Sequence, residues 1–183
     1  MTGYDPEKHH RRSIRLKGYD YTRTGAYFVT IVAYQRECLF GNIQNNEIIL
    51  NEWGEIVREE WERTAVVRPN VELGDYVIMP NHIHGILIFA DDIAGATRRV
   101  APANIASTKT ILPNSLGSVI GQFKSIVTKR INRLQNVSGL PVWQRNYYDH
   151  IIRNEKEMDR IARYIQTNPL RWAEDHDNPN RAS

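Results

Sequence analysis

The tightest constraint on the fold comes from "VELGDYVIMPNHIHGILIFA", where two strand-like runs are separated only by Pro80-Asn81. Both runs are rich in β-branched and other apolar residues, the composition of strands. Pro-Asn between them is a turn signal. A parallel crossover needs a dozen or more residues, so strands joined this tightly pair antiparallel. A hairpin is therefore expected over residues 71–90, with a bulge at Gly74.

Other segments follow from hydrophobic period. "AYFVTIVAY" (26–34) reads as a strand, "GNIQNN" as a turn, and "EIIL" as a short second strand. In "NEWGEIVREEWERTAVV" the apolar residues Trp53, Ile56, Val57 and Trp61 recur at three and four residues, predicting an amphipathic helix capped near Asn51. A second helix is expected in "SLGSVIGQFKSIVTKRINRLQ", with Val119, Ile120, Phe123, Val127, Ile131 and Leu134 as its inner stripe. "VWQRNYYDHII" reads as a last short strand. "RNEKEMDRIARYIQTNPLRW" reads as a third helix, N-capped by Asn154 and ended by Pro169.

The resulting order, β-β-α-β-β-α-β-α, predicts an α+β fold: one antiparallel sheet with helices packed on one face. Residues 1–24 form a basic arm without periodicity, and 25–172 the folded domain. Within it, 91–114 is a low-complexity, flexible insertion. Residues 173–183 are a polar tail expected to fray.

The chain has 183 residues and a formal net charge of +3, so the position of the basic groups says more than their sum. One cysteine, Cys38, excludes an internal disulfide and any multi-cysteine zinc site. No apolar run is long enough to span a bilayer. A soluble protein of the cytoplasm is expected.

Two histidines stand inside the apolar run of the hairpin. On a strand, residues i and i+2 share a face, so His82 and His84 point the same way, and Ile83 points oppositely. Two neutral imidazoles side by side can grip a divalent cation. They can equally be hydrogen-bonded groups at a sheet edge, and no carboxylate or cysteine nearby completes a zinc site. The third helix supplies partners: "RYIQTNP" puts Tyr164 and Asn168 four apart, on one helical face. Asn offers a hard carbonyl oxygen to magnesium or manganese, and a deprotonated tyrosine is a nucleophile. By itself Tyr164 reads as a half-buried helix tyrosine, and only the combination points to chemistry.

These features together resemble the HUH single-tyrosine transposases, and more closely the REP-associated tyrosine transposases. "RRSIRLKGYDYTRTGAYFVTI", "RECLFG", "VIMPNHIHGILI", "GQFKSIVTKRIN", "VWQRNYYDHIIRNEKE" and "YIQTNPLRW" carry the resemblance across most of residues 11–172. It implies a ferredoxin-like or RRM-like sheet. It also implies Tyr164 as the catalytic nucleophile, with His82, His84 and Asn168 as ligands of Mg2+ or Mn2+. The implied reaction is cleavage and rejoining of single-stranded DNA at REP-type hairpins through a 5′-phosphotyrosine, by a monomer or homodimer. His150 is a weaker ligand candidate, and Tyr147 and Tyr148 are substitute nucleophiles. Two rival functions share the fold: a hairpin-binding module that does not cut, and a metal-dependent nuclease that uses water.

DNA binding has its own candidates. Arg11, Arg12, Arg15, Lys17 and Arg23 are interleaved with Tyr19 and Tyr21, a pattern suited to phosphates and unpaired bases. Lys124, Lys129 and Arg130 on the second helix, and Arg145 after it, extend the set. A nucleoid-associated location follows from such a substrate.

Overall fold

The structure, a computed structural model, describes residues 24–90, 115–175, 177–179 and 181. The basic arm with Arg11, Arg12, Arg15, Lys17, Tyr19, Tyr21 and Arg23 lies outside the described residues, as does the 91–114 segment.

Strand β1 (Gly25–Val32) leads through a 3-10 turn (Tyr34–Arg36) into a small hairpin of β2 (Gly41–Gln44) and β3 (Glu47–Leu50). Helix α1 (Glu52–Val67) follows, then β4 (Val71–Met79), β5 (His82–Phe89), α2 (Leu116–Leu134), β6 (Tyr148–Ile152) and α3 (Glu155–Thr167). A second 3-10 segment, Pro169–Glu174, follows α3. The "GNIQNN" stretch is not all turn. Gly41–Gln44 is itself a strand, and the reversal is confined to Asn45-Asn46, whose φ angles of 52° and 66° suit a two-residue hairpin loop.

Four strands pair in the order β4-β5-β1-β6, every neighbour antiparallel. With α1 between β1 and β4 and α2 between β5 and β6, this is the ferredoxin-like arrangement. The 71–90 hairpin is present, with Met79 opposite His82. Its register shifts between Leu73 and Tyr76, a bulge that contains Gly74.

Each face of the sheet is covered by different helices. Tyr27, Val29, Ile31, Ile83, Leu87 and Phe89 pack with Ile56, Val57 and Trp61 of α1 and Val119, Ile120, Phe123 and Val127 of α2. Opposite them, Ile86 and Ile152 pack with Ile161 and Ile165 of α3, flanked by Ala26, Phe28 and Ile88. The expectation of helices on one face therefore holds for α1 and α2 only. Strand alternation puts Ile86 and Ile88 beside the histidines, and that second apolar face requires a cover of its own. Helix α3 supplies it. Among the stripe residues of α2, Leu134 departs from expectation and is partly exposed at the helix end.

Helix caps agree with the sequence. Asn51 Oδ1 accepts from the backbone N–H groups of Trp53 and Gly54, and Asn154 Oδ1 from that of Glu157. Asn132, buried in α2, donates to the carbonyls of Thr128 and Leu140 and accepts from the Leu140 N–H, fixing the turn toward β6. No described helix is long and apolar enough to cross a membrane.

Gly85, directly after the histidines, has a packing reason. A Cβ there would stand 2.4 Å from Cζ2 of Trp61, so only glycine lets the indole lie against the sheet. Gly85→Ala is expected to lose about 1–3 kcal/mol of stability through this overpacking. Gly121→Ala, in α2 with open space around its new methyl group, should gain roughly 0.5–1 kcal/mol. Denaturant unfolding of both variants checks the contrast.

Candidate active site

The site lies where the histidine face of β5 meets the C-terminal turn of α3. His82 and His84 are both buried, with their Nε2 atoms 3.1 Å apart. Tyr164 Oη is 3.1 Å from His84 Nε2. Phe28, from β1, stacks on the His84 ring at 5.3 Å and meets Tyr164 edge-on at 6.1 Å. Helical spacing delivers Tyr164 and Asn168 together, and the Asn168 side chain acts to lower the phenol's pKa.

Two residues that sequence reading passed over orient the imidazoles. Asn81 is fully buried, and its Nδ2 donates to the carbonyls of Arg36 (2.9 Å) and Asp177 (2.5 Å). Two carbonyl acceptors fix which way this amide faces, so Oδ1 must point at His82 Nδ1, 2.8 Å away. An oxygen there accepts a hydrogen bond from Nδ1–H, leaving the His82 Nε2 lone pair facing the site. Thr30 Oγ1 sits 2.8 Å from His84 Nδ1. With His84 Nδ1–H donating to Thr30, the His84 Nε2 lone pair accepts from the Tyr164 hydroxyl. Two nitrogen lone pairs then converge on one point.

Electrostatics keep both rings neutral. Burial, with a smaller contribution from the Arg36 guanidinium, pulls His82 down to about 3. Burial and the neighbouring His82 push His84 well below the ordinary imidazole value, against the opposing pull of Asp175. Burial raises the Tyr164 pKa above its ordinary value, and Asp175 and Asp177 raise it further, against the opposing effect of the Asn168 side chain. At neutral pH the phenol therefore keeps its proton unless a cation stands beside it.

The donor set fits a divalent cation. The Nε2 separation of 3.1 Å matches two nitrogens about 2.1 Å from one ion at an angle of roughly 95°. Asn168 is buried, and its Oδ1 has no hydrogen-bond partner among the described residues, an orphaned acceptor where a hard ligand is wanted. Asp175 adds a carboxylate within 4.8 Å of the histidine nitrogens. This residue was missed because the C-terminal segment reads as a fraying polar tail. It is instead held in place: Arg36 pairs with Asp177 at 2.8 Å, and Asn178 Nδ2 donates to Trp172 O. Only its acidic composition, "AEDHD", could have signalled a ligand.

Other candidate residues fall elsewhere. His150 pairs with Glu157 at 2.7 Å, on the α3 side of β6. Lys124 Nζ donates to the carbonyls of Gln144, Arg145 and Asn146, and burial lowers its pKa to about 8. Arg130 forms ion pairs with Glu59 and Glu60, joining α2 to α1. Lys129 and Arg145 are exposed.

A ferredoxin-like sheet presenting paired strand histidines to a helical tyrosine is the class that fold and site define. No protein-family model matches the chain. It is 41% identical to an uncharacterized protein of Haemophilus influenzae over 95% of this chain and 96% of that one. It is 28% identical to a candidate REP-associated tyrosine transposase of the same organism, over 83% of this chain and 74% of the relative. A solved REP-associated tyrosine transposase, bound to a REP hairpin, shares the fold with a TM-score of 0.55 and 18% identity, covering 86% of this chain and 74% of that one. The chain is thus similar in sequence to a candidate REP-associated tyrosine transposase and shares the fold of a solved one.

Two outcomes test the site's construction. The metal-free protein should lose stability as pH falls from 7 toward 5. Folded, the two imidazoles stay neutral in this range, while the unfolded chain takes up protons near the ordinary 6.5, so stability rises with pH. The slope should reach at most about 1.4 kcal/mol per pH unit for each histidine, and His82→Gln with His84→Gln should flatten it. Separately, Asn81→Ala should weaken Mn2+ binding, followed by calorimetry, about 10- to 100-fold.

Proposed function

We propose that the protein cuts and rejoins single-stranded DNA beside REP-type hairpins, through a covalent link between Tyr164 and a 5′-phosphate. The observation that carries this reading is the placement of Tyr164 Oη at 3.1 Å from His84 Nε2 within one chain. The sequence likeness to a candidate REP-associated tyrosine transposase and the fold shared with a hairpin-bound one support it.

The phenolic oxygen of Tyr164 bonds to the scissile phosphorus, and the bond from phosphorus to the 3′ oxygen breaks in line with it. The phenol's proton is released, and the departing 3′ oxygen takes one up as a hydroxyl. Attack by a second 3′-hydroxyl reverses the step and rejoins strands without an energy source. Phenoxide leaves more readily than an alkoxide because phenol is the stronger acid. A divalent cation, Mg2+ or Mn2+, held by His82, His84 and Asn168 with Asp175 as a further donor, would offset phosphate charge and favour the phenolate. The Asn168 amide lowers the Tyr164 pKa and so favours its anion. Phe28 fixes the tyrosine ring against His84.

Tyrosine and histidines come from one chain, which supports a monomer as the functional unit. Exposed Lys129 and Arg145 are the proposed phosphate contacts of the domain, joined by the basic and aromatic residues of the arm. Lys124 and Arg130 serve the fold instead, because their charges are committed to carbonyls and carboxylates. Such a substrate places the protein at the nucleoid.

Incubation with a labelled hairpin oligonucleotide and Mn2+ should give a denaturation-resistant adduct with the wild type. None should form with Tyr164→Phe, or with the wild type in a chelator. An adduct that persists in Tyr164→Phe would refute the assignment. Turnover without an adduct would favour the water-using nuclease, and tight binding with no cutting the binding module.

A further inference from the structure

We propose that Tyr148 is a stacking residue for an unpaired nucleobase next to the phosphate that Tyr164 attacks. The proposal rests on the reading of Tyr164 as the nucleophile and names a base subsite beside it.

Val77, His84, Thr30 and Tyr148 are successive partners across β4, β5, β1 and β6, so their side chains share the site's face. Two strand spacings separate Tyr148 from His84, about 10 Å of backbone distance. Thr30, between them, is engaged with His84 Nδ1. The Tyr148 ring meets Phe28 edge-on at 6.3 Å, and Tyr164 meets the same phenyl ring at 6.1 Å. Two tyrosines therefore flank one half-buried ring, and both remain open to solvent, at 41% and 42% exposure.

Helix α3 leaves this corner uncovered. It starts directly after β6 ends and leans toward β4, where Gln166 Nε2 donates to Asp75 Oδ1 at 2.9 Å. The start of β6, where Tyr148 sits, is at the free edge of the sheet. The segment leading into it is held firmly, because Lys124 clasps the carbonyls of Gln144, Arg145 and Asn146. Tyr148 is thus a large aromatic ring, exposed on an ordered edge strand and one ring away from the nucleophile.

Chemistry selects the occupant. An unpaired base offers a flat π-face that stacks on an aromatic ring whatever its identity. A strand whose phosphate lies at Tyr164 Oη passes the Phe28 ring, and its neighbouring base falls at Tyr148. Exposed Arg145, three residues earlier, supplies the positive charge that a phosphate backbone requires. Among the described residues nothing links the Tyr148 hydroxyl to His82 or His84, so the ring rather than the phenol is the working part.

The test measures fluorescence anisotropy of two labelled hairpins, one blunt and one with an oligothymidine flank, binding to the full chain in a chelator so that no cutting occurs. Wild type should favour the flanked hairpin. Tyr148→Ala should lose roughly tenfold or more on the flanked hairpin and nothing on the blunt one. Tyr148→Phe should match the wild type on both. Equal wild-type affinity for the two hairpins would overturn the proposal, as would an equal loss on both in Tyr148→Ala, or a Tyr148→Phe as impaired as Tyr148→Ala. Wild type that forms no adduct with Mn2+ would instead refute the role of Tyr164, leaving the binding comparison to stand or fall by itself.

Discussion

The pairing of β5 with β1 is the constraint on which the rest depends. β5 is central in the sheet, so both of its faces must be covered. Ile83, Leu87 and Phe89 meet α1 and α2 across a dry core. His82 and His84 face the other way, with Ile86 and Ile88 beyond them on the same side. A face that carries two imidazoles and two isoleucines needs an amphipathic cover with polar groups at one end. Helix α3 is that cover: Ile161 and Ile165 seal the apolar part, and Tyr164 and Asn168 meet the imidazoles. The same packing that buries the isoleucines therefore sets Tyr164 against the histidines.

Burial then decides the chemistry. Two exposed imidazoles would titrate near neutrality and repel each other once charged. Buried and hydrogen-bonded through Nδ1 to Asn81 and Thr30, these two stay neutral and turn their lone pairs inward. A cation is the natural companion of such a pair. Asn81 also binds the Asp177 carbonyl, so the turn after β1, the hairpin loop and the C-terminal segment converge on one amide. The C-terminal segment, with Asp175, is part of the site rather than an appendage.

Much of this was legible in the sequence because it depends on local period. Strand alternation put His82 and His84 on one side, and helical spacing put Tyr164 and Asn168 on another surface together. The tight Pro80-Asn81 link fixed the antiparallel hairpin. What period cannot convey is which face a helix covers, and so the position of α3 opposite α1 and α2 was unread. Asn81 resembled an ordinary turn residue, since the two carbonyls it binds belong to segments far away in the chain. Lys124 and Arg130 looked like free basic groups because their partners, main-chain carbonyls and glutamates of another helix, leave no trace in the residues around them. Asp175 was hidden for a similar reason: polar tails usually fray, and tertiary contacts with Arg36 and Asn81 help to hold this one.

The claim that ties fold to the proposed function is that the histidines of β5 and the Asn168 amide of the α3 end hold one metal ion. Anomalous X-ray diffraction from crystals grown with Mn2+ tests it most directly. The account predicts a single strong peak within about 2.3 Å of both Nε2 atoms, with Asn168 or Asp175 oxygen completing the shell. A peak bound elsewhere, or histidines still in mutual contact at saturating Mn2+ with no ion between them, would contradict it.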